Sequence, residues 1–267
     1  MGALQGHFAL VTGAGRGFGR AIALRFAREG AAVAVTARSK SELDDVVREI
    51  EAAGGRGFAV AGDVTKGGDV ENIVRSAEQA LGSLSLVVSN AGVPWPFGPL
   101  WINDPDKWWA AQEVHIKGPM MLAHTVLPGM TLRRKGRVIL VSAIASHMTV
   151  SGLSAYLIGK TAQRRLAEII AFEGREYGVS AFSIDPGFVF TQLAEDTMNS
   201  PDAQQYLPQM VERLRQMKAQ GGGSTADYER CAQRCVDLAS GKYDALSGCY
   251  SELPDDLDKM LRDKAVK

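Results

Sequence analysis

Net charge is the first thing this sequence lacks: thirty Lys and Arg residues balance thirty Asp and Glu residues, for a formal net charge of zero at pH 7. Without a basic or acidic excess, neither a nucleic-acid nor a membrane-surface partner is expected. Cysteine is scarce, with three in 267 residues (Cys231, Cys235 and Cys249). An odd count with no pairing pattern suits free thiols in a reducing compartment. Cys231 and Cys235 lie one helical turn apart, but zinc needs two further ligands and none is near, so no metal is expected. Long apolar runs are missing too, since no window reaches the roughly 20 residues that span a bilayer. The N-terminal MGALQGHFALVTGAG has no basic segment of the kind that opens a signal peptide. The expectation is a soluble, cytoplasmic chain. Linkers, composition shifts and repeats are absent as well, so residues 1–267 are expected to form one domain.

What is present is an alternation. Short apolar, β-rich runs stand at 7–12, 31–37, 57–62, 84–90, 136–142, 179–185 and 248–253. Helical patterns separate them, among them GRAIALRFAREG and SELDDVVREIEAAG, each closed by a glycine suited to a helix C-terminus. Such alternation predicts an α/β, Rossmann-type doubly wound parallel sheet of about seven strands with helices on both faces. The nearly continuous apolar character of the strands fits a sheet covered on both sides. One irregular stretch, 192–224, carries a helical pattern from Tyr206 to Lys218 and ends in a glycine cluster. Its place after the sixth strand, at the ligand side of such a sheet, suits a substrate lid.

The common dinucleotide pattern G-x-G-x-x-G fails after the first strand, because Phe18 stands where its last glycine belongs. What remains is T-G-x-x-x-G-x-G through Thr12, Gly13, Gly17 and Gly19. Glycines there permit a tight strand-to-helix turn and let backbone amides approach a pyrophosphate at a helix N-terminus. The second strand ends in Thr36-Ala37-Arg38-Ser39, with no acid before Glu42 to bind a ribose 2′-hydroxyl. Arg16 in the glycine turn and Arg38 instead offer two forked cations to a 2′-phosphate, so NADP(H) is expected over NAD(H). The GDVT stretch ends the third strand and places Asp63, followed by Val64, near the adenine edge. The fourth strand ends in Asn90-Ala91-Gly92, at the switch point of an open sheet.

Tyr156 and Lys160 are four residues apart and face the same way on a helix running through Ala162, Leu166 and Ile169. A phenol titrates near pH 10, and a neighbouring ammonium together with a cationic nicotinamide is expected to lower that value. Tyr156 could then give a proton to a nascent alkoxide. In the aromatic stretch VPWPFGPLWINDPDKWW that follows the Asn90-Ala91-Gly92 turn, Trp95 and Phe97 suit an aromatic wall beside this chemistry, faced by Met148, Val150 and Leu153. Trp108 and Trp109 suit core or subunit packing. No cluster of basic residues there would hold a carboxylate or phosphate, so a bulky hydrophobic or aromatic ketone or alcohol is the expected substrate.

TGxxxGxG, NAG and YxxxK in this order, with Asp185-Pro186-Gly187 and Thr191 after the sixth strand, resemble the short-chain dehydrogenase/reductase family over residues 7 to about 253. The resemblance implies a single-domain oxidoreductase, a dimer or tetramer, moving hydride between NAD(P)(H) and an alcohol or carbonyl. It implies that Pro186, Gly187, Val189 and Thr191 surround the nicotinamide, and that Arg16 and Arg38 follow the family's NADP-preferring pattern. It also exposes two departures. The family serine thirteen positions before the tyrosine is Ala143 here, with Ser142 facing the other way if the strand alternates. The family asparagine of VNxxG is His115 in VHIKG. His115 can donate and accept in a modified relay, or be an ordinary helix histidine. His147 is a further candidate donor to the substrate oxygen, with loop packing as its alternative. Loss of the serine donor resembles loss of an oxyanion-hole bond, about 10²–10³-fold in rate. Three explanations stay open: an active reductase with an altered donor set, a serine deliberately replaced by Ala143, and an NADP(H)-binding scaffold without hydride transfer.

Overall fold

The structure, a computed structural model, describes residues 2–221 and 225–265. In order, the chain forms β1 (Phe8–Thr12), α1 (Gly17–Arg28), β2 (Ala32–Ala37), α2 (Lys40–Ala52), β3 (Arg56–Ala61), α3 (Gly67–Leu81) and β4 (Leu86–Ser89). It continues with α4 (Pro105–Gln112), a π-helical turn (Glu113–Lys117), α5 (Gly118–Arg133), β5 (Gly136–Val141), α6 (Ser154–Gly174) and β6 (Val179–Ile184). The rest comprises α7 (Gln192–Asn199), α8 (Pro201–Tyr206), α9 (Pro208–Ala219), α10 (Ala226–Ala239), β7 (Tyr250–Ser251) and α11 (Leu257–Ala265). All seven expected strands are present and every pairing is parallel, in the order β3-β2-β1-β4-β5-β6-β7. The order reverses between β1 and β4, which opens a crevice at their C-terminal ends.

The side-chain alternation of the strands builds two cores. Ala9, Val11, Val33, Val35, Ile139 and Phe182 pack with Ile22 and Phe26 of α1 and with Cys231 and Cys235 of α10. Leu10, Ala34, Val87, Val138, Leu140 and Ala181 face the other way, onto residues of α3, α5 and α6 such as Ile73, Val126 and Ile170. A period of two with both faces buried is what makes these strands read as unbroken apolar runs. The three cysteines are free, and Cys231 and Cys235 are fully buried. No helix among the described residues is long and apolar enough to cross a membrane.

The expected helical pattern from Tyr206 to Lys218 is α9, Pro208–Ala219, but it does not stand alone in the stretch after β6. Three short helices occupy it, because Pro201 and Pro208 each sit in a first turn and Leu207 interrupts the run with a non-helical backbone. Ala194, Met198, Ala203, Leu207, Val211 and Leu214 of these helices bury against Phe97 and Leu153, a third small core above the sheet ends. The expected insertion 192–224 runs past them into 222–224, which lie outside the described residues, as do 1 and 266–267 of the expected 1–267 domain.

Candidate active site

The glycine turn is shaped by what side chains cannot do. Gly13 and Gly17 hold φ of +62° and +59°, the left-handed region that glycine adopts freely. At Gly19 the constraint is space: a Cβ would run into the Gly13 carbonyl and the Asn90 amide. Thr12 and Asn90 then fasten the two sides of the crevice. Thr12 Oγ1 accepts from the Asn90 and Ala91 amides at 3.0 and 3.2 Å, and Asn90 Nδ2 donates to the Thr12 and Gly13 carbonyls at 3.0 and 3.2 Å. Arg16, the N-cap of α1, makes no side-chain cap, so the first amides of the helix are not covered by it. Left-handed glycines, a missing Cβ and an uncapped helix start fit a dinucleotide pyrophosphate. Phe18, in place of the usual glycine, packs edge-on against Tyr228, 5.0 Å between ring centres.

At the adenosine end, Arg38 is exposed beyond β2 and Ser39 caps α2, accepting from the Glu42 amide. Arg16 faces Glu42 at 3.7 Å, so the first acid after β2 is paired with a cation of the glycine turn. Asp63 accepts from the Thr65 amide and hydroxyl at 3.0 and 2.8 Å. Burial would raise its carboxyl, but those bonds and the nearby Arg38 hold it below the usual range. Val64 lies against Gly118, 3.2 Å from where a Cβ would stand.

The long helix α6 carries Tyr156 and Lys160 on the face turned to the sheet. Lys160 Nζ stands 5.7 Å from the Tyr156 ring centre, and the His115 ring meets the Tyr156 ring edge-on at 5.6 Å. Lys160 is 4 % exposed and donates to the Val141 carbonyl at 2.8 Å and to Gln163 Oε1 at 3.2 Å. Burial lowers the ammonium to about 7, with Asp185 opposing. Burial and then Asp185 push the Tyr156 phenol up to about 12. The expected lowering is therefore not a property of the protein alone: burial and the Asp185 carboxylate both favour the protonated phenol. A phenol so placed keeps its proton.

His115 is fully buried in the π-helical turn. Its Nε2 lies 2.8 Å from the Val93 carbonyl, which makes Nε2 the protonated nitrogen. Nδ1 has no partner among the described residues. Burial, then Lys160, lowers its pKa to about 3, so the ring is neutral. Ser142 cannot replace the absent serine: its Oγ donates to the Lys160 carbonyl at 2.7 Å, behind the site. Ala143 occupies the position itself, nearly buried, and the next amide, Ile144 N, donates to Asp185 Oδ1 at 2.9 Å. The other Asp185 oxygen accepts from Gly187 at 3.3 Å. Pro186 and Val189 are buried, and Thr191 approaches the glycine turn, its methyl 3.9 Å from where a Gly17 Cβ would stand.

The expected substrate residues divide. Trp95 and Met148 are exposed by 38% and 50%, and Ile144 and Phe188, in the loops after β5 and β6, are about as open. Phe97 and Leu153 are instead buried in the core under α7–α9. His147 stacks edge-on against Tyr250 and receives Arg164 Nη1 at 2.7 Å, a packing arrangement that does not join it to Tyr156. Trp108 Nε1 donates to Ser154 Oγ at 3.1 Å, whereas Trp109 stays largely exposed. Sequence reasoning missed Gln163 and the carboxylate role of Asp185. The signal for Gln163 was there: it continues the stripe of Tyr156 and Lys160 at i+7, a polar residue on the buried face of α6.

A glycine turn at the switch point and a tyrosine–lysine pair facing it define a nucleotide-dependent oxidoreductase of the α/β type. A model of the short chain dehydrogenase family matches residues 7–202. The short chain dehydrogenase MYCFIDRAFT_6125 of Pseudocercospora fijiensis is 35% identical, covering 98% of this chain and 84% of its own. A 7α-hydroxysteroid dehydrogenase in complex with NADH and 7-oxo glycochenodeoxycholic acid superposes with a TM-score of 0.79 at 25% identity, over 93% of each chain. A metagenomic short-chain oxidoreductase in complex with NADP gives 0.67 at 35% identity, over 70% of this chain and 85% of that one. The chain belongs to the short-chain dehydrogenase/reductase family, whose members use a nicotinamide cofactor.

Proposed function

We propose that the protein is an NADPH-dependent carbonyl reductase or alcohol dehydrogenase for a bulky hydrophobic or aromatic ketone or alcohol. The observation that carries the reading is the Tyr156–Lys160 pair, held on one face of α6 with the lysine 5.7 Å from the phenol ring. The nicotinamide supplies or receives the hydride. Thr12, Gly13, Gly17, Gly19 and Asn90 would hold its dinucleotide, with Asp63 and Val64 on the adenine side. Pro186, Gly187, Val189 and Thr191 would flank the ring. Tyr156, protonated because burial raises it, gives its proton to the substrate oxygen during reduction. Lys160 stabilises the phenolate left behind.

Arg38, exposed at the end of β2, supports a 2′-phosphate, with Arg16 joining once it leaves Glu42. The substrate class rests on the apolar rim formed by Trp95, Ile144, Met148 and Phe188, all exposed by 38% or more. The solved relative bound to a steroid acid is in keeping with that rim. Residues 192–221 of α7–α9 serve as the lid.

Ala143 supports a second reading, a scaffold that binds NADP(H) without turnover, because no hydroxyl replaces the missing donor. A panel of aryl and alicyclic ketones, set against small polar keto acids and followed by NADPH consumption, separates the two. Reduction confined to the bulky ketones and lost by at least about 10²-fold, the scale of general acid catalysis, in Tyr156→Phe is expected. Tight NADPH binding with no turnover on any ketone would leave the second reading standing.

A further inference from the structure

Behind the Tyr156–Lys160 pair lies a buried amide that nothing in the reaction described so far requires. Gln163 is 2 % exposed, in a stripe where α6 otherwise buries Ala155, Gly159, Ala167 and Ile170. A long amide in such a place needs partners for both ends, since a buried polar group left unpaired loses its bonds to water without replacement. Gln163 has both. Its Oε1 accepts from Lys160 Nζ at 3.2 Å, and its Nε2 donates to the backbone carbonyl of His115 at 3.0 Å. The bond directions also settle the amide's orientation: an ammonium has only donors and a carbonyl only acceptors, so Gln163 cannot be flipped.

We propose that Gln163 is a positioning residue for the lysine, tying the Lys160 ammonium to the His115 backbone and so fixing where Lys160 sits and how readily it keeps its proton. The inference rests on the reading of Tyr156 and Lys160 as the proton-transfer pair. Lys160 has one other acceptor, the Val141 carbonyl of β5. The groups around it are few. Tyr156 lies on the same helix, neutral His115 faces it from the π-helical turn, and Asp185 at the end of β6 supplies the negative charge that favours the ammonium. Asp185 in turn feels Asp227 of α10. On the β4 side, Gly92 leaves only space, with Lys160 Nζ and His115 Cε1 at 3.6 and 3.3 Å from where its Cβ would be. Removal of the Gln163 oxygen therefore leaves the buried ammonium with the Val141 carbonyl as its one hydrogen-bond acceptor among the described residues.

The test titrates Lys160 directly in the cofactor-free protein, using ¹³C-lysine labelling with the Lys160 resonance assigned by its loss in Lys160→Met. Gln163→Met keeps length and volume without the amide, and Gln163→Glu replaces it with a carboxylate. The midpoint of Lys160 is expected to fall by about one unit, tenfold in the protonation equilibrium, in Gln163→Met and to rise in Gln163→Glu. The alkaline limb of the reductase kcat profile should move the same way in each. Midpoints unchanged in folded variants would overturn the proposal and leave Gln163 as core filling. If Gln163→Met does not fold, the direction of the Gln163→Glu shift decides alone. Absent turnover in the unaltered protein would refute the reductase reading while leaving the lysine titration to judge Gln163.

Discussion

At the scale of single residues, the site is defined by one missing atom and one exchanged ring. Ala143 offers no hydroxyl where the family resemblance implies a serine, and Ser142 is committed to the Lys160 carbonyl. His115 fills the asparagine position as a neutral imidazole. Its folded pKa is depressed, so its contribution to stability is complete above about 6.5 and is lost progressively as the pH falls toward about 3. Melting temperature between pH 7 and pH 4 should accordingly drop less steeply in His115→Asn than in the unaltered protein. Parallel curves would show that burial does not hold the imidazole neutral. The motif residues Thr12, Gly13, Gly17, Asn90, Tyr156 and Lys160 were legible in the sequence because each has a chemical role fixed by type and spacing. The state of the tyrosine was not legible: the lysine's charge can be read from the chain, whereas the burial that raises the phenol depends on packing.

Among elements, the π-helical turn and α6 are fitted to each other. A Cβ at Gly159 would stand 2.6 Å from His115 Cβ, closer than real side chains approach. Residues 115 and 159 are thus one feature: the His115 side chain, from its Cβ outward, occupies space that residue 159 gives up. Gly159→Ala should destabilise the fold by about 1–3 kcal/mol, the usual cost of overpacking, although alanine favours the helix. Combining it with His115→Gly, which removes the clashing Cβ and Cγ, should return part of the loss. Thermal or urea unfolding of the two single variants and the double variant checks this, and strictly additive losses would contradict the coupling. Nothing in the linear order of residues joins positions 115 and 159, so this pair could not be read without the fold. The strands could be read, because burial of both faces leaves apolar runs. The helices after β6 were half legible: the helical pattern before Lys218 was visible, but Pro208 starts a helix there and Leu207 ends the one before it.

For the whole molecule, the sheet gathers its chemistry at one edge. The ends of β1 and β4 are stitched by Thr12 and Asn90, the end of β5 carries Ala143, and the end of β6 carries Asp185, which bonds Ile144 and Gly187. Asp227 of α10 holds the Phe188 amide at 3.0 Å, so the loop after β6 is braced from the far core. Above it, Phe97 and Leu153 anchor α7–α9. This general plan followed from the alternation of strands and helices, whereas the burial of Phe97 in the core of α7–α9 needed the three short helices to be seen. The strand ends and the facing helix α6 bring Thr12, Asn90, Tyr156, Lys160 and Asp185 together, with Ala143 offering no hydrogen-bond donor among them. The most direct test restores that donor. Steady-state reduction of a bulky ketone by Ala143→Ser should give a kcat about 10²–10³-fold above the unaltered protein, the scale of one oxyanion-type donor, with NADPH affinity unchanged. A kcat that does not rise, in a folded variant that binds NADPH as tightly as before, would contradict the account of a proton-transfer site lacking only that hydroxyl.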